Sequence, residues 1–211
     1  MATCKRLTLS VLSAQVLHAR LAADSAATLL PADVVEDILR YVYMYMDPVV
    51  VPHTSFAGAH TDNPQYFEYT DVALRLITVC WLSVAVTAER VPAGRYAVVL
   101  DLTADWQYSK YTLETTVCCR QCPTEADAEP PWEDACPAYH WDPPQKGRGL
   151  LRICEVQLRH TCDVYVRQQN LASGWKGGTQ WHRMILDPQP VSSPDCEPSW
   201  CPATDNDARD D

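Results

Sequence analysis

The stretch from Asn63 to Val84 constrains this chain more than any other. Asn63-Pro64-Gln65-Tyr66-Phe67-Glu68-Tyr69 reads as an extended opening segment, Val72-Ala73-Leu74 follows after a short polar step, and Val79-Cys80-Trp81-Leu82-Ser83-Val84 is a near-continuous apolar run. Such a run suits a strand buried on both faces. The pattern stays β downstream. Val84-Ala85-Val86, Tyr96 to Leu102 and Tyr108 to Val117 are short β-branched or aromatic segments, parted by Glu-Arg, Pro-Ala-Gly and Asp-Trp turn signals. Leu151 to Leu158, Asp163 to Gln168 and Gln180 to Leu186 supply three more, the last two joined across Ser173-Gly174 and Gly177-Gly178, where glycine permits positive φ. The expected fold is mainly β, an antiparallel jelly-roll-like sandwich. Its predicted core includes Val79, Trp81, Val84, Val98, Leu100, Ile153 and Ile185.

Before this β region the chain is helical in pattern. Leu7, Val11, Leu12, Val16 and Leu17 fall on helical spacing over 7–21. A second helix is predicted from Pro31 to Met46: Pro31 suits a first turn, Asp33 and Glu36 favour the positive helix end, and Val34, Val35, Ile38, Leu39 and Val42 form an apolar stripe. It should stop near Asp47-Pro48. Residues 1–50 are therefore expected to be a helical segment, 58–190 the sandwich and 191–211, rich in Pro and Asp, a solvated acidic tail.

With 211 residues the chain has room for one domain of about 130 residues beside the helical piece. Its net charge of −10 argues against nucleic acid, whose phosphates need clustered Lys and Arg. No apolar stretch is long enough to span a bilayer, so no membrane partner is expected. Ser10, Ser13, Gln15, His18 and Arg20 interrupt any signal-like core near the N-terminus. The expected compartment is cytoplasm, nucleus or both, where the ten cysteines stay reduced.

Residues 118–147 read as a long surface insertion rich in Pro, Asp, Glu and Cys. Within it Cys119, Cys122, Cys136 and His140 give a C-x2-C-x13-C-x3-H spacing that could close a tetrahedral zinc site, zinc being the one cofactor considered. The other reading is that these thiols are incidental. No G-x-S-x-G, P-loop, dinucleotide fingerprint or H-E-x-x-H occurs, so nothing supplies a positioned nucleophile, a phosphate cradle or a catalytic metal, and no enzyme is expected.

Four blocks in order carry a resemblance to a known family. Asn63-Pro64-Gln65-Tyr66-Phe67 with Val72-Ala73-Leu74 and Val79 to Val84, Val91 to Leu100, Gly149 to Ile153, and Trp175-Lys176-Gly177-Gly178 with Met184 to Pro188 together resemble the phloem protein 2 family of plant lectin-like proteins. That resemblance implies a β-sandwich that binds N-acetylglucosamine-containing or high-mannose glycans. Such binding rests on aromatic faces stacked against pyranose rings, with carboxylates or amides meeting the hydroxyls. The positions matching the family's sugar-binding residues are His60 and Phe67, then Asp163, Tyr165 and Gln169 on a later strand. Phe67 could equally be core, and Trp175 and Trp181 read as core. Leu30 to Leu39 is similar to the opening of an F-box, which in plants often precedes this lectin domain. Val34, Val35, Ile38 and Leu39 would then dock a Skp-type adaptor of a ubiquitin ligase, or else pack on the sandwich. The competing function is a protein-interaction domain that keeps only the sandwich fold. Phe67, His60 and a carboxylate converging on one open groove would favour the lectin; a buried Phe67 would count against it.

Overall fold

The computed structural model describes residues 47–105, 111–122, 130–142, 146–189 and 199–202. The helices expected over 7–21 and 31–46 lie outside these, and with them Val34, Val35, Ile38 and Leu39. Most of the expected acidic tail does too.

All the regular structure described is β, apart from a 3-10 turn at His53–Ser55. The strands are β1 (Val49–Pro52), β2 (Ala57–Gly58), β3 (Phe67–Tyr69), β4 (Leu74–Leu76), β5 (Leu82–Val91), β6 (Gly94–Ala104), β7 (Leu113–Gln121), β8 (Glu133–Asp134), β9 (Tyr139–Trp141), β10 (Gly147–Leu158), β11 (Cys162–Asn170), β12 (Thr179–Pro188) and β13 (Ser199–Pro202). One antiparallel sheet runs β13-β10-β6-β12-β4-β3 with β1 also paired to β12; the other runs β2-β5-β11-β7-β8 with β9 also on β7. From β4 to β7, and again from β9 to β12, each connection crosses from one sheet to the other. This is the strand order of a jelly roll, in which every long strand pairs with partners distant in sequence.

Alternation builds the core. On β5, Leu82, Val84, Val86 and Ala88 point inward while Ser83, Ala85 and Thr87 are partly exposed. Val98, Leu100 and Leu102 on β6, Leu151 and Ile153 on β10, and Val164 and Val166 on β11 complete it. Between the sheets, Trp181 donates its indole N–H to Gln168 Oε1 at 2.7 Å, and Gln168 Nε2 donates to Thr115 Oγ1 at 3.0 Å. These buried polar groups are satisfied by one another, as interiors require. Asp101, also buried, accepts from Arg148 and Arg183.

The structure corrects five expectations. The run from Val79 to Val84 is not a strand buried on both faces: its strand starts at Leu82, and only one face of it is covered. Trp81, expected in the core, is 66% exposed because it precedes that strand. Ile185 is only partly buried, since it alternates outward between Met184 and Leu186. The insertion at 118–147 is also partly sheet. Cys118 and Cys119 belong to β7, and the chain returns so that Glu133 and Asp134 pair with them and Tyr139 to Trp141 pair with Leu113 to Thr115. The open hydrogen-bonding edge of β7 explains this, since unpaired strand edges recruit further strands. By the same logic β13, inside the expected solvated tail, pairs with β10.

Candidate functional site

The Asn63-Pro64-Gln65 motif proves to be a turn rather than an extended segment. Asn63 Oδ1 accepts the Gln65 N–H at 3.0 Å, and the Asn63 carbonyl accepts from Tyr66 and Phe67 at 2.9 and 3.0 Å. Asn side chains favour such turns because they hydrogen-bond their own backbone two residues on. Just upstream, Thr61 Oγ1 donates to the Gly58 carbonyl and accepts the Gly58 N–H, both at 3.1 Å, while His60 takes a positive φ of 70°. Gly58 has no substitute there: a Cβ would stand 2.0 Å from the Ser83 carbonyl oxygen. These turns send Phe67 into the core and leave Tyr66 half-buried, edge-on to the His60 ring at 5.6 Å between centroids.

A second construction brings two indoles to the same place. Val79 and Lys176 exchange backbone hydrogen bonds at 3.0 and 2.8 Å, joining the segment before β5 to the loop before β12. The Lys176 side chain is 3% exposed, and its ammonium donates to three carbonyls: Cys80, Ala172 at 2.5 Å and Gly174 at 2.9 Å. Burial holds its pKa below the ordinary lysine value, opposed only by the Cys80 thiol. That one cation fixes the backbone beside both Trp81 and Trp175, which remain 66% and 55% exposed. Together His60, Tyr66, Val79, Cys80, Trp81 and Trp175 line a groove of about 180 Å³. No carboxylate, arginine or exposed ammonium is among those residues. Chemically it offers aromatic faces and edges, a phenol, an imidazole and indole N–H donors.

Of the sugar-binding residues expected from the sequence, only His60 lies in this groove. Phe67 is 2% exposed and is core, because the turn ahead of β3 directs it inward, so the convergence of Phe67, His60 and a carboxylate that would have favoured the family-type sugar site does not form. The other three sit along β11. Asp163 accepts the Arg90 N–H at 2.9 Å, Arg120 Nη2 at 2.9 Å and the Cys122 thiol at 3.4 Å. Burial alone would raise its pKa, but these donors hold it below the usual carboxylate range. It is occupied structurally. Tyr165 packs against Trp132, with 5.4 Å between ring centroids, and Arg120 lies 4.4 Å over the same indole. Gln169 donates to Glu114 Oε1 at 3.2 Å and lines a separate cleft of about 330 Å³ with Thr112, Glu114, His140, Asn170, Leu171 and Ala172. Asp163 and Gln169 stand six residues apart, about 20 Å at strand rise.

The groove residues that sequence reasoning missed are Tyr66, Trp81 and Trp175. Trp175 had a usable signal, for it sits in Ser173-Gly174-Trp175-Lys176-Gly177-Gly178, a turn-rich composition that places side chains at the surface. Trp81 had none, being flanked by apolar residues on both sides.

The expected zinc ligands are not assembled. His140 pairs with Glu114, whereas Cys119 lies five residues further along β7, about 17 Å away at strand rise. Cys122 is directed to Asp163, and the Cys136 thiol hydrogen-bonds with Cys154. Among the described residues no group of three or more His, Cys, Asp or Glu could hold a metal ion. Burial, with the neighbouring thiols of Cys162, Cys118 and Cys136, pushes Cys119 up to about 12, against the thiolate a metal would need.

No family model matches the chain, and no curated protein matches it. Among solved structures it is similar to the Podospora anserina GH26-CBM35 β-(1,4)-mannanase, with 12% identity over 70% of this chain and 29% of that one and a TM-score of 0.39. It is also similar to TmCBM61 solved in complex with β-1,4-galactotriose, with 11% identity over 67% of this chain and 88% of that one and a TM-score of 0.34. The chain thus spans less than a third of the mannanase. Likenesses at these scores say nothing of what this chain binds, and its own groove must carry that argument.

Proposed function

We propose that this chain is a carbohydrate-binding module whose site is the groove between Trp81 and Trp175. One observation carries the reading: two largely exposed indoles line one groove whose backbone is pinned by a buried ammonium. Covering exposed aromatic surface removes it from water, which is favourable. Flat indole faces match the apolar face of a pyranose, while the indole N–H groups, the Tyr66 hydroxyl and the His60 ring can meet its hydroxyls. Pinning the loop in advance removes part of the ordering cost of binding. The absence of charged side chains from the groove walls favours a neutral sugar. From the phloem protein 2 resemblance, N-acetylglucosamine-containing and high-mannose glycans are the first ligands to try. A role in ubiquitin ligation would need residues outside the described ones and is not part of this proposal.

The test is a glycan array with the wild type, Trp81→Ala and Trp175→Ala. Binding by the wild type that either substitution reduces at least tenfold, with the thermal midpoint unchanged, supports the assignment. Binding that survives both substitutions places the site elsewhere. An array on which nothing binds turns the reading over to a protein-interaction surface.

A further inference from the structure

We infer that Cys136 and Cys154 are an oxidisable pair, a modification site at which a small-molecule disulfide such as oxidised glutathione installs one covalent clasp between the two sheets, Cys136 attacking and Cys154 resolving. This is independent of the carbohydrate reading.

The fold brings the two thiols together from opposite layers. Cys154 lies on β10 in the first sheet, at the register shift between Arg152 and Cys154 in its pairing with β6. That bulge turns two consecutive residues inward, so that Ile153 is 1% and Cys154 9% exposed. Cys136 follows β8 in the second sheet. There the chain is held on β7 by the pairs Cys118 with Asp134 and Cys119 with Glu133, and by the Ala135 N–H, which donates to the Val117 carbonyl at 2.8 Å. Cys136 is left half-buried against the core, and its sulfur accepts the Cys154 S–H. Among the described cysteines this is the one thiol-to-thiol hydrogen bond. Sulfurs already in contact have little distance left to close to the roughly 2 Å of a disulfide bond.

The surroundings assign the roles. The attacking sulfur must be reachable and carry thiolate character. Cys118 and Cys122 donate to the carboxylates of Asp134 and Asp163, both at 3.4 Å, and burial together with those carboxylates keeps each protonated. Cys162 donates to the His160 carbonyl at 3.3 Å, and burial raises it too. Of the thiols at this end of the sandwich Cys136 alone is shifted down, because the Cys154 S–H stabilises its thiolate against the opposing effects of burial and Asp134.

The chemistry is two exchanges. The Cys136 thiolate attacks one sulfur of oxidised glutathione, forming a mixed disulfide and expelling one glutathione thiolate. Cys154 then gives up its proton to solvent and attacks the Cys136 sulfur, forming the Cys136–Cys154 bond and expelling the second glutathione thiolate. Two protein thiols are oxidised by two electrons in all, one glutathione disulfide is reduced to two thiols, and the two cysteine protons end on those. The new bond ties the segment carrying β8 and β9 to β10, which restrains the unfolded chain.

The test is treatment of the reduced full chain with excess oxidised glutathione at pH 8 without denaturant, followed by peptide mass mapping and thermal unfolding. The wild type should yield a Cys136–Cys154 linked peptide and a thermal midpoint higher by roughly 5 °C or more, both reversed by dithiothreitol. Cys154→Ala should keep glutathione on Cys136 with no link, and Cys136→Ala should leave Cys154 unmodified. The reduced forms of both variants should unfold near the reduced wild type, which shows that they are folded. No link, a link between other cysteines, glutathione that stays on Cys136 of the wild type, or a Cys136–Cys154 link that forms only in urea overturns the inference.

Discussion

Lys176→Met tests the construction of the site directly. Methionine fills nearly the same space but removes an ammonium that donates to the carbonyls of Cys80, Ala172 and Gly174. A hydrogen bond to a charged group contributes about 1.5–3 kcal/mol net, and an orphaned buried acceptor costs about 1–3 kcal/mol. Three of each do not simply add, for two reasons. The substitution also relieves the several kcal/mol of burying an ammonium without a counter-charge. The loop at 171–175 can in addition swing out and hydrate its carbonyls, so the cost is capped by the loop's own opening. The expected loss is about 2–4 kcal/mol. Urea unfolding followed by tryptophan fluorescence would show a lower midpoint at unchanged slope. Because Trp81 and Trp175 flank the pinned loop, glycan affinity should also fall. The pH dependence has a definite sign. Burial depresses the folded-state pKa below the ordinary 10.5, so between the two values the unfolded chain binds more protons. Stability should therefore rise as pH increases through that window, and the wild type should show this rise more strongly than Lys176→Met. A loss under about 0.5 kcal/mol, the ordinary range for a surface substitution, would refute the idea that this ammonium holds the groove together.

Other expectations are sharper for being paired. Trp181→Ala should cost about 3–5 kcal/mol by leaving a cavity and depriving Gln168 Oε1 of its donor, whereas Trp81→Ala should cost under about 1 kcal/mol; denaturant midpoints of the two variants decide it. Gly58→Ala forces a Cβ onto the Ser83 carbonyl and should destabilise by about 1–3 kcal/mol, read as a lower thermal midpoint. Asp163→Asn should lose stability that the wild type has at neutral pH. Because the folded pKa of Asp163 lies below 3.8, that advantage should fade as pH falls through 3.8 and then through the folded value, which a midpoint-versus-pH series would record. Cys119, pushed up to about 12, and Cys154, raised chiefly by its hydrogen bond with Cys136 and by burial, should resist alkylation near pH 8 until the chain is unfolded; peptide mass mapping after brief iodoacetamide treatment would show it.

Much of the sandwich was legible in the residues. The alternation of β5, β6 and β10 to β12 is a period-two signal that survives any arrangement of strands, because each strand buries one face whatever its neighbour is. The glycines at 174 and 178 marked the connection into β12, and both adopt positive φ. Other features depend on distances along the sheet that no local pattern encodes. Cys119 and His140 have ligand spacing in sequence, yet the return of the chain over β7 sets them at different ends of one strand. Tyr66 and Phe67 are adjacent aromatics; only the Asn63 turn decides which is core and which faces the groove. Trp81 stands in an apolar run and reads as core on any local scale. It is exposed because the strand starts one residue later and no described residue of the opposite sheet covers it, while a lysine distant in sequence secures the carbonyl of Cys80 beside it. Burial is a property of the neighbours a residue acquires. The sequence determines which residues alternate, but the pairing of sheets and the reach of Lys176 decide which aromatics are left to meet a ligand.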